Sequence, residues 1–86
     1  MNLPVEQHQA AALLRVLAES PDPVSLPRLC KRLGLRMSVL LRLLAWLGEA
    51  PVGAQPGAGW VRVEDEGGRQ VARLTAAGLQ AARIRP

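Results

Sequence analysis

Bond-making or bond-breaking chemistry needs a nucleophile, a base and an orienting group within reach of one another. The chain offers one cysteine, Cys30, and one histidine, His8. Lys31 and Arg32 beside Cys30 would favour a thiolate. Yet Cys30 shares helical spacing with Leu26, Leu29 and Leu33, which reads it as a small core residue. His8 stands in a polar N-terminal segment and reads as solvated. Glu64, Asp65 and Glu66 could hold a cation, but no further ligands follow at useful spacing, so they read as a solvated turn. Pro56-Gly57-Ala58-Gly59 precedes a strand, the wrong order for a phosphate-binding loop. One Cys and one His argue against a tetrahedral zinc site within the chain, and one Cys excludes an internal disulfide. The expectation is a protein that is not an enzyme and has no metal and no cofactor.

The cations are more informative. The chain has 11 Lys and Arg against 7 Asp and Glu, a formal net charge of +4, and a pI of about 11.1. Their distribution is uneven. Residues 23–48 hold Arg28, Lys31, Arg32, Arg36 and Arg42 with no carboxylate, whereas Glu64, Asp65 and Glu66 gather in a later acidic run. An acid-free block of this length is a candidate electropositive surface.

With 86 residues, residues 1–86 are expected to form one domain with a modest core, which a partner chain often reinforces. Hydrophobic residues make up 49% and charged residues 21%, a globular composition. With two Trp and neither Phe nor Tyr, Leu, Ala and Val must fill the interior. No apolar run approaches the length of a membrane span, and the first residues lack the features of a secretory leader. The expected location is cytoplasmic, with no membrane partner.

Those cations must be positioned by secondary structure, which Pro and Gly punctuate. Val5 to Glu19 reads as a helix, with Ala12, Leu13, Val16 and Leu17 at helical spacing. Leu14 and Ala10-Ala11 widen its apolar face, which suggests neighbours on two sides, with a second subunit as a candidate for one of them. Ser25 is a good N-cap for a short helix through Leu26, Leu29, Cys30 and Leu33, closed by Gly34. A third helix spans about 37–49. Leu40, Leu43, Leu44 and Leu47 form its core face, and Ser38, Arg42, Ala45 and Glu49 the opposite stripe. Met37 and Leu41 flank that stripe on one side, Val39 and Trp46 on the other. Trp46 reads equally as an interface anchor and as a residue buried against the hairpin or the first helix. Two helices joined by a three- or four-residue turn containing Gly have helix-turn-helix spacing. Trp60–Glu64 and Gln70–Leu74 then read as a hairpin joined by an acidic, Gly-rich turn, and Thr75 caps a last helix.

The segments VSLPRLCKRLGLRMSVLLRLLAWLGEA and WVRVEDEGGRQVARLTAAG resemble the winged helix-turn-helix domains of MarR/PadR-type bacterial regulators. The resemblance runs over about residues 24–80. It rests on Gly34-Leu35 before the third helix and on Leu74-Thr75-Ala76-Ala77-Gly78 after the hairpin. It implies an α+β winged helix-turn-helix fold: a three-helix core, a C-terminal β-hairpin wing at about 60–74, and a final short helix. It further implies a transcriptional regulator that binds duplex DNA. The 37–49 helix would enter a major groove, and Arg69 would serve as the wing arginine on the backbone. The chain departs from the pattern in Arg36 at the N-cap of the third helix, Leu41 at a position usually polar, and Pro51 where a Gly usually ends the helix.

Two functions from different classes follow. The first is a small dimeric DNA-binding regulator. Arg28, Lys31, Arg32, Arg36 and Arg69 would contact phosphates, and Ser38 and Arg42 would face the bases. The homodimer would form through the first and last helices. The second is a winged-helix adaptor that binds protein through the apolar third helix, which Leu41, Val39 and the acidic wing favour. The basic block favours DNA.

Overall fold

The computed structural model of the chain describes residues 4–48 and 57–84. Among these residues the elements run α1 (Pro4–Glu19), β1 (Val24–Ser25), α2 (Leu26–Leu33), α3 (Met37–Leu47), β2 (Val61–Glu66), β3 (Arg69–Leu74) and α4 (Ala76–Ile84). The architecture is α+β, with an antiparallel sheet in the order β1-β3-β2.

Local signals set the α2–α3 unit. The Ser25 Oγ accepts the Arg28 N–H at 3.4 Å, and Pro27 occupies the first turn, where its missing N–H costs nothing. Gly34 ends α2 at φ 67°, a left-handed conformation that glycine adopts without strain. The N–H groups of Gly34 and Leu35 both reach the Cys30 carbonyl. Residues 34–36 therefore form a three-residue turn between the two helices.

α3 ends earlier than the sequence suggests. Gly48 caps it, donating its N–H to the Leu44 carbonyl at 2.8 Å. Glu49 and Pro51 lie outside the described residues. The returning chain supplies further partners. Ala58 donates to the Trp46 carbonyl, Trp60 to that of Leu47 at 2.8 Å, and Gly59 to that of Gly48 at 2.9 Å. The end of α3 is thus satisfied by the segment that opens the hairpin.

The hairpin turns at Gly67-Gly68, as the glycine pair suggests, and differs from the expectation in the reach of its strands. The strands extend through Glu66 and Arg69 and leave only Gly67-Gly68 between them, at φ 62° and 81°. Positive φ at both central residues is the tight turn whose twist matches paired strands. Glu64, Asp65 and Glu66 therefore belong to a strand, on alternating faces, and not to a turn. Strand β1 is a further difference. Val24 pairs with Ala72 and Ser25 with Val71, so the residue that caps α2 also extends the sheet.

One cluster of buried side chains joins Leu13, Leu14 and Leu17 of α1, Leu26 and Leu29 of α2, the four core leucines of α3, and Val61 and Ala72 of the sheet. Leu14 is 2% exposed, and Ala10 packs against the same cluster. The breadth of the α1 apolar face is thus explained within the chain, because α1 packs against α2, α3, β3 and α4. Leu14 and Ala10 are not spare surface for a second subunit. Trp46 is 58% exposed, so it is buried against neither the hairpin nor the first helix.

Candidate functional site

The α2–turn–α3 face carries the acid-free basic block. Arg28, Lys31 and Arg32 on α2, Arg36 in the turn, and Ser38 and Arg42 on α3 are all exposed. The amphipathic pattern explains this. Leu26 and Leu29 turn α2 inward, and Leu40, Leu43, Leu44 and Leu47 do the same for α3. Arg36 adopts an extended conformation at the start of α3, and no side chain caps that helix. Six of the seven site residues expected from sequence therefore lie on two consecutive helices and the turn between them.

Arg69 is the exception. It stands at the turn end of the hairpin, exposed and paired in register with Glu66. The hairpin's electrostatics follow from its alternation. Directly opposed residues share a face, so Arg62, Glu64, Glu66, Arg69 and Arg73 lie on one face, and Val61, Val63, Asp65, Gln70 and Ala72 on the other. Arg73 donates to Glu64 at 3.2 Å. The acidic run is therefore divided between two faces and partly matched by arginine. Sequence reading missed Arg62 and Arg73 as parts of this surface. The signal available was their alternation with Glu64 once the Gly-Gly turn fixes the register.

The outward surface of α3 has a definite layout. At about 100° per residue, Ser38, Arg42 and Ala45 occupy its centre. Met37 and Leu41 form one edge, one helical turn apart, and Val39 and Trp46 the other. Met37 is 39% exposed and Leu41 49%. The helix thus presents two small residues and a cation between an apolar edge and an edge carrying an indole.

The sequence Leu74-Thr75-Ala76-Ala77-Gly78 has a structural role. Thr75 Oγ donates to the Gly59 carbonyl at 2.6 Å and accepts the Gly78 N–H at 3.0 Å. The Thr75 N–H donates to the Trp60 carbonyl at 3.0 Å. These bonds tie the start of α4 to the start of β2 and so fix the base of the hairpin.

The remaining chemical candidates stay apart. His8 is exposed on α1, and Cys30 is a free, half-buried thiol on α2 that packs against the core. Among the described residues, no three or more His, Cys, Asp or Glu side chains gather as a metal site. No described helix is long and apolar enough to cross a membrane.

No protein-family model matches the chain, and no curated protein matches it. A solved structure does. The chain is similar to a protein from Ralstonia eutropha JMP134 described as a "putative DNA-binding protein", with 31% sequence identity and a TM-score of 0.73. The match covers 99% of this chain and 100% of the other. Likeness at this identity over the full length of both chains places this protein in the same family as the Ralstonia protein.

Proposed function

We propose that this chain is a winged-helix protein of MarR/PadR-like type that binds duplex DNA sequence-specifically as a small cytoplasmic transcriptional regulator. The carrying observation is the exposed face of α2, the 34–36 turn and α3, with five cations and no carboxylate in residues 23–48. The description of its Ralstonia relative as DNA-binding supports the same reading. α2 and α3 act as the helix-turn-helix and β2–β3 as the wing. Arg28, Lys31, Arg32 and Arg36 meet phosphates, and each phosphate neutralised releases counterion from the duplex. Ser38 and Arg42 face the groove floor, where an arginine can reach guanine O6 and N7. Arg69 extends the contact to the backbone beside the wing. The whole chain works as one domain.

The regulator works as a homodimer through α1 and α4, presenting two copies of α3 about one DNA turn apart. With Leu14 and Ala10 assigned to the core, support for this arrangement comes from Leu79 on α4, which is 39% exposed. It borders an open groove of about 370 Å³ that Leu17, Ala18 and Pro21 also line.

The exposure of Met37, Leu41 and Trp46 favours a second reading, in which the same helix binds a protein. Fluorescence anisotropy of a labelled random-sequence duplex, titrated with protein at several salt concentrations, tests the first. The proposal expects binding that weakens steeply as salt rises. Absent or salt-independent binding favours the adaptor.

A further inference from the structure

We propose that α3 reads thymine methyl groups through Met37 and Leu41, so that this protein selects duplexes carrying closely spaced thymines beside the guanine read by Arg42. The inference rests on the DNA-binding reading above and names which base feature its recognition helix takes.

The argument begins with exposure. Leu is the main core residue of this chain, and all four leucines on the inward face of α3 are buried. Leu41 is 49% exposed on the same helix, and Met37 is 39% exposed one turn before it. Leu41 lies on the outward half of α3, and Met37 stands on the same flank nearer the core face, both to one side of Arg42. Leaving such side chains in water forgoes burial free energy that an apolar partner would restore.

The surroundings select the partner. The face is flanked by Arg28, Lys31, Arg32 and Arg36, and the described residues 23–48 that build it hold no carboxylate, so its complement is a polyanion with an apolar feature. The floor of the DNA major groove supplies one such feature, the C5 methyl of thymine. Ser38 and Ala45 at the centre of the outward face allow the helix to approach closely. Arg42 then reaches the floor at the centre while Leu41 and Met37 meet methyl groups along one side of the groove.

Spacing sharpens the inference. Residues four apart on a helix are separated by about 6 Å along its axis, and successive base pairs by about 3.4 Å. Where α3 follows the groove, Met37 and Leu41 fall over bases about two steps apart. Each methyl buried contributes about a fourfold gain in affinity, and two contribute about fifteenfold.

The test is selection of bound duplexes from a randomised pool, followed by measurement on the enriched duplex with thymine or with uracil at the enriched thymines. Uracil keeps every hydrogen-bonding group and removes only the methyl. Native protein is expected to lose about fourfold for each critical thymine replaced. Leu41→Ser is expected to bind the thymine and uracil duplexes alike at the position Leu41 reads. Folding of the variant is checked by circular dichroism, and Leu41→Val, which keeps an apolar contact, should retain part of the discrimination. Equal native affinity for thymine and uracil duplexes overturns the inference. So does a Leu41→Ser loss of the same size on both. In these cases salt-sensitive binding of the random pool leaves the DNA-binding reading standing. If no duplex is bound, both fall, and the exposed edge belongs to a protein partner.

Discussion

Gly78 of α4 sits directly against the main-chain carbonyl of Trp60. A Cβ built on Gly78 would fall inside the contact distance of the Trp60 oxygen and lie 2.8 Å from the carbonyl carbon. The obstacle is backbone, so no side-chain rotation relieves it. Gly78→Ala is expected to destabilise the fold by about 3 kcal/mol, since α4 must move off the start of the hairpin. Thr75→Ala should cost about 2 kcal/mol through loss of the helix cap and of the bond to Gly59, and Thr75→Ser much less. Urea denaturation of the three variants checks the order.

Gly34 gives a contrasting case. A Cβ there would meet nothing within 4 Å, but φ is 67°. Gly34→Ala should therefore cost about 1 kcal/mol from backbone strain alone. Gly34→Asn should cost less, because asparagine tolerates the left-handed region. The same denaturation experiment separates the two causes: overpacking at Gly78 and strain at Gly34.

The organisation of the helices was legible because its signals are local. Ser25 and Gly34 bracket α2, and leucines at helical spacing mark the inward face of α3. The Gly67-Gly68 turn was legible, but the strand ends were not, because an acidic run beside two glycines reads as part of the turn. The register shows instead that the carboxylates alternate between faces and that Glu64 has Arg73 as a partner. β1 was illegible: two residues between Pro23 and Pro27 show no alternation, and their pairing depends on β3, nearly fifty residues later. Leu14 was misassigned because helical periodicity reveals which residues are apolar but not how many neighbours surround them. The exposed cations followed from amphipathicity. The exposure of Trp46 did not, because a residue on the flank of a helix is covered or not according to elements distant in sequence.

Single replacements of Arg28, Lys31, Arg32 or Arg69 by Ala are expected to weaken binding to all duplexes alike. Each should lower the slope of log affinity against log salt by about one. Thermal stability should hardly change, because all four side chains are exposed. Anisotropy across a salt series, with circular dichroism melts alongside, checks both parts.

Dimerisation through α1 and α4 predicts that Leu79→Glu, at an exposed position, produces a folded monomer. Sedimentation velocity at micromolar concentration should show the native chain as a dimer and the variant at half its mass. A native chain that sediments as a monomer contradicts the dimer without touching the DNA surface.

Arg42→Ala should cost about 1–3 kcal/mol on a selected duplex and little on random DNA. Equal losses on both would make Arg42 a phosphate contact.

The most direct measurement of the central claim is a titration of isotope-labelled protein with duplex DNA, followed residue by residue in amide NMR spectra. Shifts are expected to concentrate on residues 28–45 and around Arg69, with the exposed side of α1 unmoved. Shifts confined to α1 and α4, or none under low-salt conditions, would contradict the assignment of α2, α3 and the hairpin as the DNA-binding surface.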